Sequence, residues 1–520
     1  MKTIKNIYNV FYVTVSVLLI GVLFSCSSAN KKRPNIVFIL ADDLGYSDIG
    51  CYGGEISTPN LDRLAEEGIR FTQIHNTSKC FPSRACLLTG LYAQQCGYDK
   101  TPTRSLKNAV TLGEVLRAAG YRTLFSGKHH GVDNPYDRGF DRYFGLRDGC
   151  CNYFNPGRQR AGESKPAQKR SDRVWCIDDK VYKPYTPPEK DFYTTDYFTK
   201  YALDWLEEYK EEDKPFFLYL AYTAPHDPLQ AWPKDINKYR GKYMVGYEAI
   251  RKKRFEKQKE IGLLGDNYVL SEPTYHSWDS LSDKEKIKED LKMAVYAAMI
   301  DRMDQNIGKI LRKIRNLNKL ENTLIIFASD NGCSAESVHI PGSGEIGSMT
   351  RWTSLGRNWA NVSNTPLRYY KNYSYEGGIC TPMIVYWPSG VKGKNRISNF
   401  RGHFIDIMAT LIDITKAEYP EEFNGEKIIP YQGVSLLPIF EGKKMKRKKP
   451  LFYEWWRGRA VMSGKWKIVA DGNNKPWDLY NINKDPSETK NLSAQFPEIV
   501  KKLDKAFREW QRKCNSELNR

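Results

Sequence analysis

Asn35-Ile36-Val37-Phe38-Ile39-Leu40 is the stretch that sets the class of this fold. After its first residue the run is apolar throughout. It follows Pro34 and leads into the acidic pair Asp42-Asp43. A strand with one wet face alternates polar and apolar residues. A strand apolar at every position is buried on both faces, as in a parallel sheet covered by helices. Comparable runs occur at Pro215 to Tyr222 and Thr323 to Ser329, with a shorter one at Pro382 to Trp387, and Tyr121 to Ser126, after Gly120, reads as a further strand. Helical spacings lie between them. Pro59 to Gly68 ends at a glycine. Thr111 to Ala119 places Leu112, Val115, Leu116 and Ala119 on one face before Gly120. Ala202, Trp205, Leu206 and Tyr209 repeat that spacing, and longer helices are predicted over Leu291 to Asn316 and His403 to Ile414. Strands alternating with helices predict an α/β sandwich around a largely parallel central sheet.

Beyond about residue 445 the texture changes. Leu451 to Trp456, Arg459 to Met462, Trp466 to Ala470 and Trp477 to Tyr480 read as short strands joined by turns, and Pro497 to Lys513 as a final helix. This predicts a catalytic domain over 34–445 and a small C-terminal subdomain of antiparallel sheet and helix over 446–520. Segments 146–190 and 333–365 lack periodicity and are rich in turn residues, as loops around a site are.

The 520 residues are 41% hydrophobic and 27% charged, an ordinary globular composition. The net charge of +19 suits a polyanionic substrate or a solvated basic surface. Basic runs such as Arg251 to Arg254 come without any zinc-finger spacing or nucleic-acid motif, so no nucleic-acid partner is expected. At the N-terminus, Lys2 and Lys5 precede an uncharged stretch that ends Leu23-Phe24-Ser25-Cys26. A basic start and an apolar stretch describe an export signal. The terminal cysteine makes it resemble a bacterial lipoprotein signal, with 1–25 as signal peptide, Cys26 lipidated and anchored to membrane, 26–33 as linker, and the protein periplasmic or on the outer membrane. The alternatives are an uncleaved membrane anchor or a plain cleaved signal, and all three place the rest outside the cytoplasm. Of the 11 cysteines, most read as small buried residues, and export permits but does not require one or two bridges among them.

The strongest motif is Cys80-Phe81-Pro82-Ser83-Arg84-Ala85-Cys86-Leu87-Leu88-Thr89-Gly90. Read alone, it is a helix N-terminus begun by Pro82 around a buried cysteine. It also resembles the signature of the formylglycine-dependent sulfatases of the arylsulfatase-like, alkaline-phosphatase superfamily, matching at Cys80, Pro82, Ser83, Arg84, Thr89 and Gly90. The resemblance implies an alkaline-phosphatase-like fold and oxidation of Cys80 to formylglycine by a maturase. One hydroxyl of the aldehyde hydrate attacks sulfur to give a sulfo-enzyme, and the other expels sulfate by rebuilding the aldehyde. A helix N-terminus offers free N–H groups to the anion, and Arg84, one turn on, neutralises developing charge or binds a sulfate oxygen.

Asp42-Asp43 follows the first strand directly, and Asp330-Asn331-Gly332 follows the strand ending at Ser329. Either pair alone reads as a turn or helix cap. Both at the carboxyl ends of strands, where parallel sheets form their crevices, suit a hard cation. Ca²⁺ is the first choice because it tolerates many oxygens in loose geometry, and Mg²⁺ is second. By resemblance the metal ligands are Asp42, Asp43, Asp330, Asn331 and the residue derived from Cys80. Gly127-Lys128-His129-His130 is similar to the family's Gly-Lys-Trp-His, with His129 in place of Trp. Ala224-Pro225-His226 resembles its second histidine motif, and Pro366 to Lys371 followed by Tyr375-Glu376-Gly377-Gly378 resembles the region of its second lysine. The resemblance therefore makes Lys128 and Lys371 sulfate-oxygen ligands, His226 the general acid, and His130 a contact to the formylglycine hydroxyl.

The substrate this implies is a sulfate monoester on a carbohydrate. Such esters are very slow to cleave in water, and an enzyme needs on the order of 20 kcal/mol of barrier lowering. A phosphatase or phosphonate hydrolase of the same fold presents Ser or Thr as nucleophile, against which Cys80 argues. A catalytically inactive glycan-binding lipoprotein lacks one or more site residues, and none is missing here.

Overall fold

The computed structural model describes residues 32–100, 105–472 and 474–519. The expected signal peptide and Cys26 lie outside them. The strands of the main sheet are β1 Asn35–Asp42, β2 Ile69–His75, β3 Arg122–Gly127, β4 Arg142–Leu146, β5 Trp175–Ile177, β6 Lys180–Tyr182, β7 Phe216–Pro225, β8 Thr323–Ser329, β9 Cys380–Tyr386, β10 Arg396–Ser398 and β11 Gly402–His403. They run in the order β10-β2-β9-β8-β1-β7-β3-β4-β5-β6, with β11 beside β2. The centre, β8-β1-β7-β3-β4, is parallel. β9 is antiparallel to both β8 and β2, and β5 to β4.

β1 shows why the continuous apolar run predicts this arrangement. Val37, Ile39 and Ala41 face one core with the helices Thr194–Glu208 and Asp283–Asn316. Ile36, Phe38 and Leu40 face another with the helices Cys80–Thr89, Leu112–Ala118 and Asp406–Thr415. Successive side chains point to opposite faces, so both sets must be apolar, and each large one contributes roughly 1.5–3 kcal/mol on burial. The result is the predicted alkaline-phosphatase-like α/β sandwich.

A four-stranded antiparallel sheet follows: β14 Leu451–Trp455, β15 Gly458–Ser463, β16 Trp466–Asp471 and β17 Asp478–Asn481. It comes after a small hairpin, β12 Glu422–Phe423 and β13 Glu426–Lys427. Phe452, Val461 and Ile468 on one face of the sheet pack with Phe507 and Trp510 of the final helix, Pro497–Leu518, while Tyr453 on the other face meets His75 of β2, and all join the second core. Among the described residues no helix is long and apolar enough to cross a membrane.

Several expectations need correction. All described cysteines are free and most are buried, as read, and neither of the one or two bridges left open is formed among them. The basic run Arg251 to Arg254 is only half solvated. It lies in the helix Tyr247–Glu260, where Lys252 and Lys253 are exposed but Arg251 and Arg254 are buried. Arg254 is neutralised there by Asp48 at 2.6 Å and Glu55 at 2.8 Å. β2 escaped the sequence reading because Arg70, Thr72 and Gln73 interrupt its apolar residues. Arg70 is nevertheless buried, donating to the Cys51 carbonyl and to Asn395. The loop 146–190 carries the β5–β6 hairpin. The long helix begins at Asp283 rather than Leu291, because Ser282 and Glu285 form a capping box ahead of the apolar face.

Candidate active site

Because β8, β1, β7 and β3 are adjacent and parallel, the residues that follow them emerge at one edge of the sheet. These are Asp330-Asn331, Asp42-Asp43, His226 and Lys128. Asp43 leaves β1 with φ of 64°, a left-handed conformation that a non-glycine residue adopts only under local constraint. β3 ends in Gly127 at φ 126°. A Cβ there would lie 1.9 Å from the Ala221 carbonyl oxygen, so only glycine lets the chain turn here and deliver Lys128. Cys80 opens the helix Cys80–Thr89, whose N-cap Lys79 supplies no side-chain cap. Ser83 instead holds the preceding turn, its Oγ accepting from the Thr77 amide at 3.1 Å.

The charged groups interlock. Lys128 Nζ donates to Asp42 Oδ2 at 2.5 Å, and Lys371 Nζ to Asp43 Oδ2 at 2.7 Å. Asn331 Nδ2 donates to Asp43 Oδ1 at 2.6 Å, and the Asp43 amide donates to Asp330 Oδ1 at 3.2 Å. Arg84 faces Asp330 Oδ2 through Nε at 2.9 Å and Nη2 at 2.8 Å, and donates from Nη1 to the Lys128 carbonyl at 2.8 Å. Its guanidinium is thus a strut between β8 and β3. His226 Nε2 lies 3.5 Å from Asp43 Oδ2, and its Nδ1 is 2.6 Å from the Asp227 carbonyl. That carbonyl can only accept, so Nδ1 carries the proton in the neutral ring. His130 is half-buried at φ 59°, with its ring 5.5 Å from that of Phe81.

Burial works to raise the Asp43 carboxyl, but Lys371 and His226 outweigh it and hold it at about 2. Burial and the neighbouring Asp42 push Asp330 up to about 6, against Arg84. Burial raises the Cys80 thiol despite Lys128 and Lys371. Burial, Lys128 and Arg84 hold His130 well below its ordinary value. Burial brings His226 down to about 3 against the pull of Asp43.

Two groupings have the spacing of a cation site. Ligand atoms of Asp42, Cys80 and Asp330 lie within 4.8 Å of one another, as do those of Asp42, Asp43 and His226. Asp42 Oδ1 and Asn331 Oδ1 are buried without a hydrogen-bond donor among the described residues. Buried acceptors left bare are costly unless something positive reaches them. Three carboxylates and an amide oxygen suit a hard divalent cation, so the residues fit the expected Ca²⁺ or Mg²⁺.

Every residue singled out in the sequence stands at this edge of the sheet. Cys80, His130 and His226 line a cavity of about 660 Å³, with Lys128, Lys371, Arg84 and the acidic residues buried around its floor. Sequence reading missed Glu336, which lies 2.6 Å from Lys79 and 3.9 Å from Lys371 and so ties both lysines together. It missed Asp227, pushed up to about 7 by burial. It also missed the cavity walls: Arg147, Lys169, Arg170 and Arg173 on one loop, and Trp352 and Trp455. Glu336 and the arginines lie in segments whose loop character was readable, but no motif marks them.

Comparison with known proteins agrees with this geometry. The sulfatase family pattern matches residues 34–417, and the C-terminal pattern of N-sulphoglucosamine sulphohydrolase matches residues 367–513. An uncharacterised sulfatase of Schizosaccharomyces pombe is 32% identical over 91% of this chain and 93% of its own. An arylsulfatase of Klebsiella aerogenes is 32% identical over 84% of this chain and 98% of its own. The crystal structure of Ps i-CgsB in complex with k-i-k-neocarrahexaose is similar at TM-score 0.68 and 26% identity, covering 92% of this chain and 93% of that one.

Proposed function

This chain belongs to the sulfatase family and is a sulfuric ester hydrolase, and from that premise we propose that it removes sulfate from saccharides using a formylglycine made from Cys80. The observation that carries the reading is the position of Cys80. It opens a helix at the floor of a cavity, within 4.8 Å of Asp42 and Asp330 carboxylate oxygens, beneath walls that carry Arg147, Lys169, Arg170 and Arg173. A sulfate ester is an anion, and fixed cations around a water-poor floor are what stabilise it as charge builds on the leaving oxygen. Trp352 and Trp455 on the same walls suit the apolar faces of sugar rings. The likeness to a protein crystallised with k-i-k-neocarrahexaose supports a saccharide substrate.

In this reading the Cys80 Sγ occupies the place of a formylglycine oxygen. Lys128 and Lys371 hold sulfate oxygens, drawn from their present partners Asp42 and Asp43. Arg84 positions Asp330 and the Lys128 backbone. His226 protonates the leaving alcohol from Nε2, its Nδ1 proton being fixed by the Asp227 carbonyl. The bound sulfate's negative charge opposes Lys128 and Lys371 and raises the His226 pKa, so the acid form is favoured when substrate is present. His130 contacts the nucleophile's hydroxyl. A Ca²⁺ ion, or Mg²⁺ second, held by Asp42, Asp43, Asp330 and Asn331, would supply Lewis-acid charge that acidifies the nucleophile. We read 446–520 as a subdomain that closes one cavity wall through Trp455. The N-terminal sequence supports export as a lipoprotein anchored at Cys26, on the periplasmic or outer-membrane side, with a formylglycine-generating maturase as partner.

The test is made on protein from its native host. The mass of the peptide holding residue 80 is measured, and sulfate release is followed on oligosaccharides of carrageenan, chondroitin sulfate and heparin and on their sulfated monosaccharides. Sulfur replaced by aldehyde oxygen at residue 80, with release from at least one saccharide, is expected. An unmodified cysteine with no release overturns the proposal. Release from 4-nitrophenyl sulfate and from no saccharide overturns its substrate.

A further inference from the structure

A second cavity, of about 520 Å³, adjoins the first, and Trp455 lines both. It lies against the tip of the β14–β15 hairpin, where Trp455 pairs with Gly458 and Trp456-Arg457 form the turn. Trp456 is unusual in two respects. Its side chain is 66% exposed, and its backbone sits at φ 52°, in a turn that ordinarily selects asparagine or glycine. A bulky residue at positive φ is strained, and a large aromatic surface left in water is unfavourable. Neither packing nor turn geometry accounts for a tryptophan there. Arg457 stacks on the Trp456 ring at 4.7 Å and steadies it. Trp455 is fixed toward the catalytic floor, donating from Nε1 to Asn372 Oδ1 at 3.0 Å and meeting Phe81 edge-on at 4.9 Å.

The remaining lining is polar. Gln94 is 8% exposed and its Oε1 accepts no hydrogen bond among the described residues, so a buried amide oxygen at this cavity lacks a donor. Glu454, Gln511 and Asp99 supply further acceptors and donors. The charges contrast with those of the first cavity. There, Arg147, Lys169 and Arg173 belong to a largely cationic wall, whereas here Lys100 stands beside Asp99 and Glu454. The first lining suits an anion. The second suits a ligand with hydroxyls, a flat apolar face and no negative charge.

We propose that the second cavity binds an uncharged sugar unit of the same chain as the sulfated unit at Cys80, stacked on Trp456 and hydrogen-bonded to Gln94 and Glu454. The enzyme is then selective for oligosaccharides and longer chains over sulfated monosaccharides. This rests on the saccharide-sulfatase reading above.

The experiment compares wild type with Trp456→Ala, Trp456→Asn and Trp456→Tyr. Asparagine keeps the positive-φ turn and removes the ring, and tyrosine keeps a ring. The substrates are the best-cleaved oligosaccharide of the panel, its sulfated monosaccharide, and 4-nitrophenyl sulfate. Wild type is expected to prefer the oligosaccharide. The alanine and asparagine variants are expected to lose about tenfold in kcat/KM on it, through KM, and tyrosine to restore most of that. Activity on the two small substrates stays unchanged. Equal effects on all three substrates, no effect on any, or a wild type indifferent to chain length overturns the proposal. A readout independent of turnover is tryptophan fluorescence titrated with agarotetraose, cellotetraose and mannotetraose. At least one is expected to bind wild type and not Trp456→Asn, and binding by none overturns the subsite. Failure of sulfate release from every substrate overturns the function proposed above, and the neutral-sugar titration remains decisive for this one.

Discussion

Asp43 is approached by the Lys371 ammonium, the Asn331 amide and the His226 ring, while its own amide reaches Asp330. Charges this close inside a protein interact strongly, so each side chain here is held by its neighbours before any substrate arrives. The histidine is the exception. Its Nε2 lies 3.5 Å from Asp43 and its side chain is 12% exposed at the cavity. In the acid role proposed for it, it matters most where the leaving oxygen is basic. His226→Ala is expected to lower kcat/KM on sugar sulfates by roughly 10²–10⁴-fold. The loss on 4-nitrophenyl sulfate, whose leaving group needs little protonation, should be much smaller. Comparable losses on both substrates, read by sulfate release, contradict the acid role.

At the scale of elements, the turn after β3 and the junction between the two sheets are the points of strain and charge. Gly127→Ala forces a Cβ against the Ala221 carbonyl of β7 at positive φ. It is expected to cost about 3 kcal/mol in denaturant unfolding and to displace Lys128. A variant as stable and as active as wild type removes that account. The junction is the buried Lys467 of β16, which bridges Glu376 at 2.6 Å and Glu488 at 2.7 Å, with His75 3.0 Å from the far oxygen of Glu376. Burial works to raise Glu376, but Lys467 and His75 prevail and hold it at about 2, against an ordinary 4.5. Burial raises Glu488 to about 7 in spite of Lys467. Between pH 2 and 4.5 the folded protein binds fewer protons at Glu376 than the unfolded chain, so that contribution is lost as the pH falls through this window. Between 4.5 and 7 it binds more at Glu488, so that contribution is lost as the pH rises toward 7. The cluster therefore stabilises most near pH 4.5–5. Lys467→Met strands two carboxylates and is expected to cost roughly 3–5 kcal/mol at pH 8. The cost is smaller at pH 5, where the stranded carboxylates take up protons. Equal losses at both pH values, in urea unfolding curves, refute this assignment.

Across the whole molecule, the acidic floor joins β1 to β8 through side chains, so a cation held there ties the centre of the sheet together. Removing it with chelator is expected to lower the melting temperature. At a hundredfold excess over Kd, restored Ca²⁺ recovers about 3 kcal/mol. Mg²⁺ recovers less, because the donors are many and loosely arranged. A melting temperature indifferent to chelator, with no metal found by elemental analysis, sinks the metal reading. On this scale the sequence determined a great deal. Strand β8 is read to the residue as Thr323–Ser329, and the acidic pairs, Lys128, His226 and Cys80 are legible because each sits in a contiguous motif at the end of an element, whereas Lys371, in the loop between Ser363 and Glu376, is legible only by resemblance. Local pattern is enough wherever the chemistry and the element that presents it are neighbours in the chain. Tertiary structure alone decided the rest. Lys371 meets Asp43 across 328 positions, and Arg254 meets Asp48 across 206. Glu336 joins Lys79 to Lys371, and the β14–β15 hairpin tip sets Trp455 in the cavity of Cys80 and Trp456 in the one adjoining it. Whether a charge is solvated or buried, and whether a tryptophan is core or lip, depends on what folds against it from far along the chain, and no local spacing encodes that.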